Sequence, residues 1–294
     1  MANLLKRFCV KHNIILQKGN NAHILLMLAW NRVLLLKLKF HKWLHGIKKP
    51  IVHYYAVCWN EEKMLPFMFD YYDRFVDCFT IYDNHSTDAS KPIIESHANA
   101  KVIEFESNGF DDAVHKKIKN DCWKKSRGKA DFVIVCDIDE FLYHEHLIDY
   151  LRGSLAEHYS ILGTIGYHMY SSAYPNHDSH KLITETIKKG VHDFYFDKQI
   201  IFDPHQIVEI NYDEGAHKTY PLGVVKVKDS QGALKMLHYK NLSLDHILNR
   251  VRLYASRLSD INKENGWGEH YLEKEQDIRN KFNEGMSQST QIIP

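Results

Sequence analysis

The chain has 294 residues, 44% of them hydrophobic and 26% charged, with a formal net charge of +1. That composition is globular and excludes a disordered, collagen-like or disulfide-stapled chain, and the length holds one large domain or two small ones. The near-neutral total hides an asymmetry: ten of the 38 basic residues fall in residues 1–50, which contain no Asp or Glu, and the other 28 face 37 acidic ones. A basic arm on an acidic body points to an anionic surface. Leu-rich interleaving suits lipid better than phosphate grooves, and an acidic body repels nucleic acid, so no nucleic-acid partner is expected.

Residues 22–40 read AHILLMLAWNRVLLLKLKF, with Asn31 and Arg32 interrupting the apolar run and Lys37 and Lys39 closing it. A spanning helix needs about 20 mainly apolar residues, and a central Arg costs about 2.5–3.5 kcal/mol on insertion scales. Two readings stay open: an in-plane helix on an anionic membrane, anchored by Trp30 and Trp43, or a helix packed on the protein's own body. No secretory signal pattern is present. The five cysteines (Cys9, Cys58, Cys78, Cys122, Cys136) form no C-x-x-C pair and read as reduced, buried thiols. A cytoplasmic protein, peripheral at the inner membrane face, is the expectation.

Pro50 marks the end of the arm. Residues 51–59 (IVHYYAVCW) read as a strand, and Asn60-Glu61-Glu62 opens a helix to about residue 75. Residues 77–82 form a second strand, ending in Asp83-Asn84-His85-Ser86-Thr87-Asp88. A short third strand covers 102–105. A polar helix over 111–125 closes at Gly128. Residues 131–141 (DFVIVCDIDEF) read as a buried strand ending on carboxylates. Alternation points Asp137 and Asp139 the same way, and two carboxylates on one face repel unless a cation lies between them. Hard oxygen ligands of this kind suit Mg²⁺ or Mn²⁺.

Beyond it, residues 145–158 read as a helix, 161–171 as a strand, and 172–235 as short strands and loops. An amphipathic helix follows to about 262 with Ser243 as N-cap, then a helix over 269–284 and a frayed tail. Strands alternating with helices imply a mostly parallel α/β sheet, whose ligands bind beyond the carboxyl ends of the strands. Three such ends carry polar loops: 60–62, 83–88 and 137–140. The expected division is a helical arm (1–50), a catalytic domain (51–240) and a C-terminal helical extension (241–294).

On these residues the chain resembles the family 2 glycosyltransferases of the GT-A fold, in the surface-polysaccharide and lipopolysaccharide branch. Trp59-Asn60-Glu61-Glu62 is similar to the family's first-strand element, Asp83 to Asp88 to its Asp-x-x-Ser-x-Asp loop, and Asp137-Ile138-Asp139 to its D-x-D motif. Leu237-His238-Tyr239-Lys240 is similar to a C-terminal His-Tyr element, and Lys119 lies in a segment typical of the branch. The resemblance implies that Asn60 and Glu61 border the nucleotide. It also implies that Asp83 faces the uracil or ribose, with Asn84, Ser86 and Asp88 shaping that loop and Lys119 and Asp137 nearby. Asp137, Asp139 and His238 would hold Mn²⁺ or Mg²⁺. Asn84-His85 stands where the family has Asp-Gly.

The activity implied is metal-dependent, inverting transfer of a sugar from a nucleotide donor, UDP-linked, to a glycan or glycolipid in surface polysaccharide synthesis. Asp193 is the choice for the catalytic base, with Asp178 and Glu185 as rivals. Lys198 is read as a cation for phosphate or for the surface, His217 as a ligand contact, and residues 267–271 as an aromatic cluster for a sugar ring or for the core. The alternatives are a non-catalytic sugar- or lipid-binding protein on a degenerate GT-A fold and a haloacid-dehalogenase-type phosphatase. For the latter, Phe141 stands where Thr or Val is expected.

Overall fold

The computed structural model describes residues 2–17, 19–178, 180–229 and 231–294; Lys18 of the basic arm lies outside them. At its centre four parallel strands lie in the order Phe132–Val135, Val52–Cys58, Cys78–Asp83, Ala100–Glu104. Alternation divides their side chains between two faces. Tyr54, Ala56, Phe132 and Ile134 enter the larger core with the helix Leu65–Tyr72, while Tyr55, Val133 and Val135 meet Trp123 and Phe202 on the other side. This is the mixed α/β architecture with a largely parallel, helix-flanked sheet that the sequence predicts.

Three edge strands extend that sheet: Ile201–Phe202, antiparallel to Phe132–Val135, then Ile161–Leu162 and Val227–Lys228. A second sheet runs Thr290–Gln291, Lys189–His192, Ile165–Ser171, Lys235–Leu242, Glu140–Tyr143. Two expected single strands are therefore each two. The run 131–141 breaks at 136–139, and 161–171 breaks at Gly163-Thr164, with the halves in different sheets. Asp137 and Asp139 stand at the first break and Gly163-Thr164 at the second, and each change of sheet is set by the strands that the two halves pair with.

Other boundaries also move. The first helix begins at Leu65, with Pro66 in its first turn, rather than at Asn60. The segment 241–262 becomes a strand end, the helix Leu244–Arg257 capped by Ser243, and a separate short helix Asp260–Asn265. The last helix is Glu275–Gln288. The tail expected to fray is docked: Thr290–Gln291 pairs with Lys189 and Gly190, and Ile293 is buried. All five cysteines are free and four are buried.

The arm is joined to the body. Ile14–Ile15 pairs with Leu222–Val224, and one face of the helix Asn21–Leu44 packs inward. Ile24 and Leu28 meet Val208, Leu38 meets Ile51 and Ala130, and Lys42 bonds Asp131 at 2.5 Å.

Candidate active site

A cavity of about 430 Å³ opens beyond the carboxyl ends of the parallel strands. Its floor is the acidic turn. The two aspartates do not share one strand face, as alternation predicted, because the strand ends at Val135 and the chain turns before Glu140 enters the second sheet. The turn is braced from within. The Asp137 amide donates to Glu140 Oε2 (3.1 Å), and Glu140 Oε1 accepts from Lys198 Nζ (2.5 Å), both residues being almost fully buried. The aspartates diverge. Asp137 Oδ1 lies 2.7 Å from Lys119 Nζ, whereas Asp139 Oδ2 lies 3.4 Å from His238 Nε2 and 3.5 Å from Arg250 Nη2.

Strand register delivers His238. It stands opposite Glu140 on one neighbour and His168 on the other, and the Tyr239 amide donates to the Asp139 carbonyl (2.8 Å). Helix periodicity delivers Arg250, whose Nη1 lies 2.8 Å from Glu61 Oε1. Neither neighbour of Asp139 makes a well-formed hydrogen bond to it. Asp139 Oδ2, His238 Nδ1 and Arg250 Nε are buried polar atoms without a partner. Such atoms cost about 1–3 kcal/mol each, more when charged, so three of them beside one cavity mark where a polar ligand would be held.

Charge dominates the cavity. Burial works to raise Asp139, but His238 and Arg250 outweigh it and hold the carboxyl well below the usual range. Burial works likewise on Asp137, which Lys119 and Lys198 pull down to about 2. Both stay ionised at neutral pH. Burial pushes Lys240 down to about 8, with Arg250 adding repulsion. Burial also pushes Glu61 up to about 8, against the pull of Arg250.

One wall is aromatic. Tyr254 and Tyr271 stack at 4.9 Å, Phe110 meets both edge-on, and Trp59 meets Tyr254 at 5.5 Å. The Arg257 guanidinium lies 3.7 Å over Trp59 and donates to Asn84 Oδ1 (2.7 Å). Flat faces of this kind suit a base or a sugar ring.

Of the residues singled out in the sequence, Glu61, Asn84, Lys119, Asp137, Asp139, Lys198, His217, His238 and the segment 267–271 line this cavity. Asn60, Asp83, Ser86 and Asp88 sit behind it as a scaffold. Asp83 is fully buried and accepts from the Ser86 amide (2.9 Å) and hydroxyl (2.6 Å), so its carboxylate fixes the loop instead of facing a ligand. Asn60 takes the Thr87 amide on its side-chain oxygen, and Asp88 takes the amides of Glu62 and Ser90.

Asp193 also stands back. It caps the turn Phe194–Phe196 and faces His168 (3.1 Å), whose ring is 5.1 Å from that of His238. Asp178 and Glu185 bond nearby backbone amides and do not line the cavity. Arg250, Tyr254 and Arg257 escaped the sequence reading, and Lys240 entered it only as part of the His-Tyr element. Arg250, Tyr254 and Arg257 recur at i, i+4 and i+7 on the amphipathic helix, and that spacing was the available signal.

Among the described residues, no three His, Cys, Asp or Glu side chains gather into an ion site of their own. Ions of the Mg²⁺ kind are commonly held by one or two carboxylates together with substrate phosphates. The unpaired Asp139 oxygen and the adjoining His238 fit such a partial site. Asp137 would have to part from Lys119 to join them.

A sequence profile described as glycosyltransferase family 92 matches residues 53–291. No curated protein matches the chain. Among solved structures, TarS from S. aureus is 13% identical with a TM-score of 0.36, over 71% of this chain and 40% of that one. Glucosyl-3-phosphoglycerate synthase from Mycobacterium tuberculosis, in complex with Mn²⁺, UDP and glucosyl-3-phosphoglycerate, is 16% identical with a TM-score of 0.29, over 40% of this chain and 44% of that one. The chain thus spans less than half the length of either.

Proposed function

Because the chain belongs to glycosyltransferase family 92, we propose that the cavity transfers a sugar from a UDP-linked donor to a hydroxyl of a glycan or glycolipid, with inversion at the anomeric carbon. Inversion rests on the likeness of its loops to the family 2 enzymes. Family membership sets aside the phosphatase reading.

The observation that carries the proposal is Asp139: an ionised, buried carboxylate whose Oδ2 accepts no hydrogen bond and has only long ion pairs to His238 and Arg250, on a cavity floor that also presents Lys119, Lys198, Lys240 and Arg250. The leaving nucleoside diphosphate gains negative charge as the glycosidic bond breaks. Preorganised cations in a site that excludes water stabilise that charge without reorganising. Lys240 and Arg250 supply it from the strand and helix behind Asp139. Lys119 keeps Asp137 ionised, and Lys198 holds Glu140 against the turn.

Asp139 and His238 would hold a divalent ion, which acts as a Lewis acid toward the diphosphate. Trp59, Phe110, Tyr254 and Tyr271 give the base or sugar a flat surface. Asp193 reaches the site only through His168 and His238, so its part is to orient those rings.

The test is transfer from UDP-sugars with Asp139→Asn. Turnover should fall by about 10²–10³-fold, the range seen when one electrostatic stabiliser is lost, in protein whose circular dichroism shows it still folded at the assay temperature. Unchanged turnover would refute the assignment. His238→Ala should weaken Mn²⁺-dependent UDP binding in calorimetry; binding indifferent to it would return His238 to a structural role.

A further inference from the structure

The helix Asn21–Leu44 has two apolar faces, and the body covers only one. Ile24, Leu28, Asn31 and Leu38 are buried against it, with Asn31 donating to the His205 carbonyl (3.1 Å). On the opposite side Leu26, Trp30, Val33, Leu36, Phe40 and Trp43 are each more than half exposed. At 100° per residue, Leu26, Trp30, Val33 and Phe40 fall within one narrow stripe, with Leu36 and Trp43 at its margin. Contiguous apolar surface of this extent on a folded protein marks a docking face. Exposed Lys37 falls within the stripe by the same count, and exposed Arg32 and Lys39 border it, on an arm with no acidic residue. No described helix is long and apolar enough to cross a membrane.

Of the two readings left open by the sequence, the inner face answers the one in which the helix packs on the body, and the outer face leaves room for the other. We propose that the outer face of the helix lies in the headgroup region of an anionic phospholipid bilayer, with the active-site cavity turned away from the membrane. An in-plane helix with aromatic residues on its apolar face and cations beside it has the chemistry such an interface takes.

The orientation follows from topology. The inner face touches Ile51, Ala130 and Asp131, the residues that precede the parallel strands Val52–Cys58 and Phe132–Val135. It also touches His205 and Val208, which follow Ile201–Phe202, a strand leaving toward that same edge because it runs antiparallel. The helix thus runs along the edge where the strands begin, and the cavity opens where they end. Seven residues of strand, at about 3.3 Å each, separate the two by about 20 Å. Resting on the transferase reading, the acceptor is then a glycan extending well beyond the headgroups, rather than a sugar attached directly to lipid.

Flotation of the full chain with vesicles of phosphatidylcholine and phosphatidylserine tests the docking, and needs no activity. Wild type should float with these vesicles and much less with phosphatidylcholine alone. Trp30→Glu combined with Phe40→Glu should lower partitioning at least tenfold. Arg32→Glu with Lys39→Glu, which spares the apolar stripe, should do so most strongly at low salt. Wild type that stays unbound would overturn the proposal. So would a concentration-dependent dimer, abolished by the same substitutions, without vesicle binding.

Vesicles with brominated acyl chains test the orientation. They should quench wild-type tryptophan fluorescence, and Trp30→Phe with Trp43→Phe should remain bound but unquenched. Trp123 packs under Arg127 at the helix-bearing edge, so quenching that persists when Trp123→Phe is added would bring Trp59 or Trp267 of the cavity to the bilayer and overturn the orientation. Failure of transfer activity with docking intact would tell against the transferase reading alone.

Discussion

At the scale of single residues, buried charges sort into those that meet a ligand and those that hold the site. Lys198 and Glu140 are the clearest holding pair, paired at 2.5 Å with almost no exposure. Removing one member of such a pair leaves an uncompensated buried charge, at a cost of about 3–5 kcal/mol, whereas replacing both with apolar groups is often neutral. Lys198→Met should therefore destabilise strongly in denaturant titration, and adding Glu140→Leu should recover most of the loss. If the single variant stayed stable but lost donor affinity, Lys198 would be a phosphate ligand instead. The acidic turn was legible in the sequence because carboxylates ending an apolar run stand out locally, whereas His238 was reached only through the likeness of Leu237-His238-Tyr239-Lys240 to a family element. Arg250 was not, since its partners Glu61 and Asp139 lie 189 and 111 positions away and nothing local marks an Arg on a polar helix as buried. Asp83 was legible as important but not in its role: only the fold shows Ser86 taking both of its oxygens.

At the scale of elements, packing overrides propensity in ways the sequence conceals. The helix Glu275–Gln288 carries Gly285 in its third turn, where Gly→Ala ordinarily gains about 1 kcal/mol. Here a Cβ would lie 2.2 Å from the Tyr170 ring. Gly285→Ala should thus destabilise, lowering the midpoint of thermal unfolding; a rise would mean that the helix does not seat on Ile165–Ser171 this closely. The tail beyond it makes the same point. Polar Gln288 to Gln291 gave no strand signal, yet the tail is held by pairing to Lys189–His192, by Lys235 Nζ donating to the Ile292 carbonyl (2.6 Å), and by burial of Ile293. Burying an Ile side chain is worth about 1.5–3 kcal/mol. Deleting residues 289–294 should cost at least that much, and an unchanged denaturant midpoint would show the tail free in solution. The parallel strands were readable because their pattern is local; their breaks at 136–139 and 163–164 were not, since the change of sheet is decided by distant partners.

At the scale of the whole molecule, the buried histidines set how stability follows pH. Burial lowers His115 to about 4, with Lys119 adding repulsion, and His246 to about 4, with Arg250 adding. It lowers His217 to about 3, helped by Lys198, and His168 to about 2, helped by His238. Each is neutral in the fold and takes a proton near pH 6.5 when unfolded. The unfolded chain thus binds more protons between about pH 6.5 and 4, and stability falls as pH drops through that window. Two acids act in the opposite sense: Glu61, raised by burial to about 8, and Asp112, raised by burial to about 6, hold protons in the fold that the unfolded chain releases. Near pH 5.5 the lowered histidines, His270 among them, outnumber the two raised acids, so the unfolded chain still binds more protons and stability still falls toward acid. Denaturant titrations at pH 7.5, 6.0 and 5.0 should show stability falling steadily toward acid. His115→Phe should flatten the curve by about one proton, because the ring packs between Phe105 and Phe110 and its buried Nε2 has no partner to lose. A curve that is flat or rises toward pH 5 would mean that these rings are solvated, and that the packing around them is looser than the structure shows.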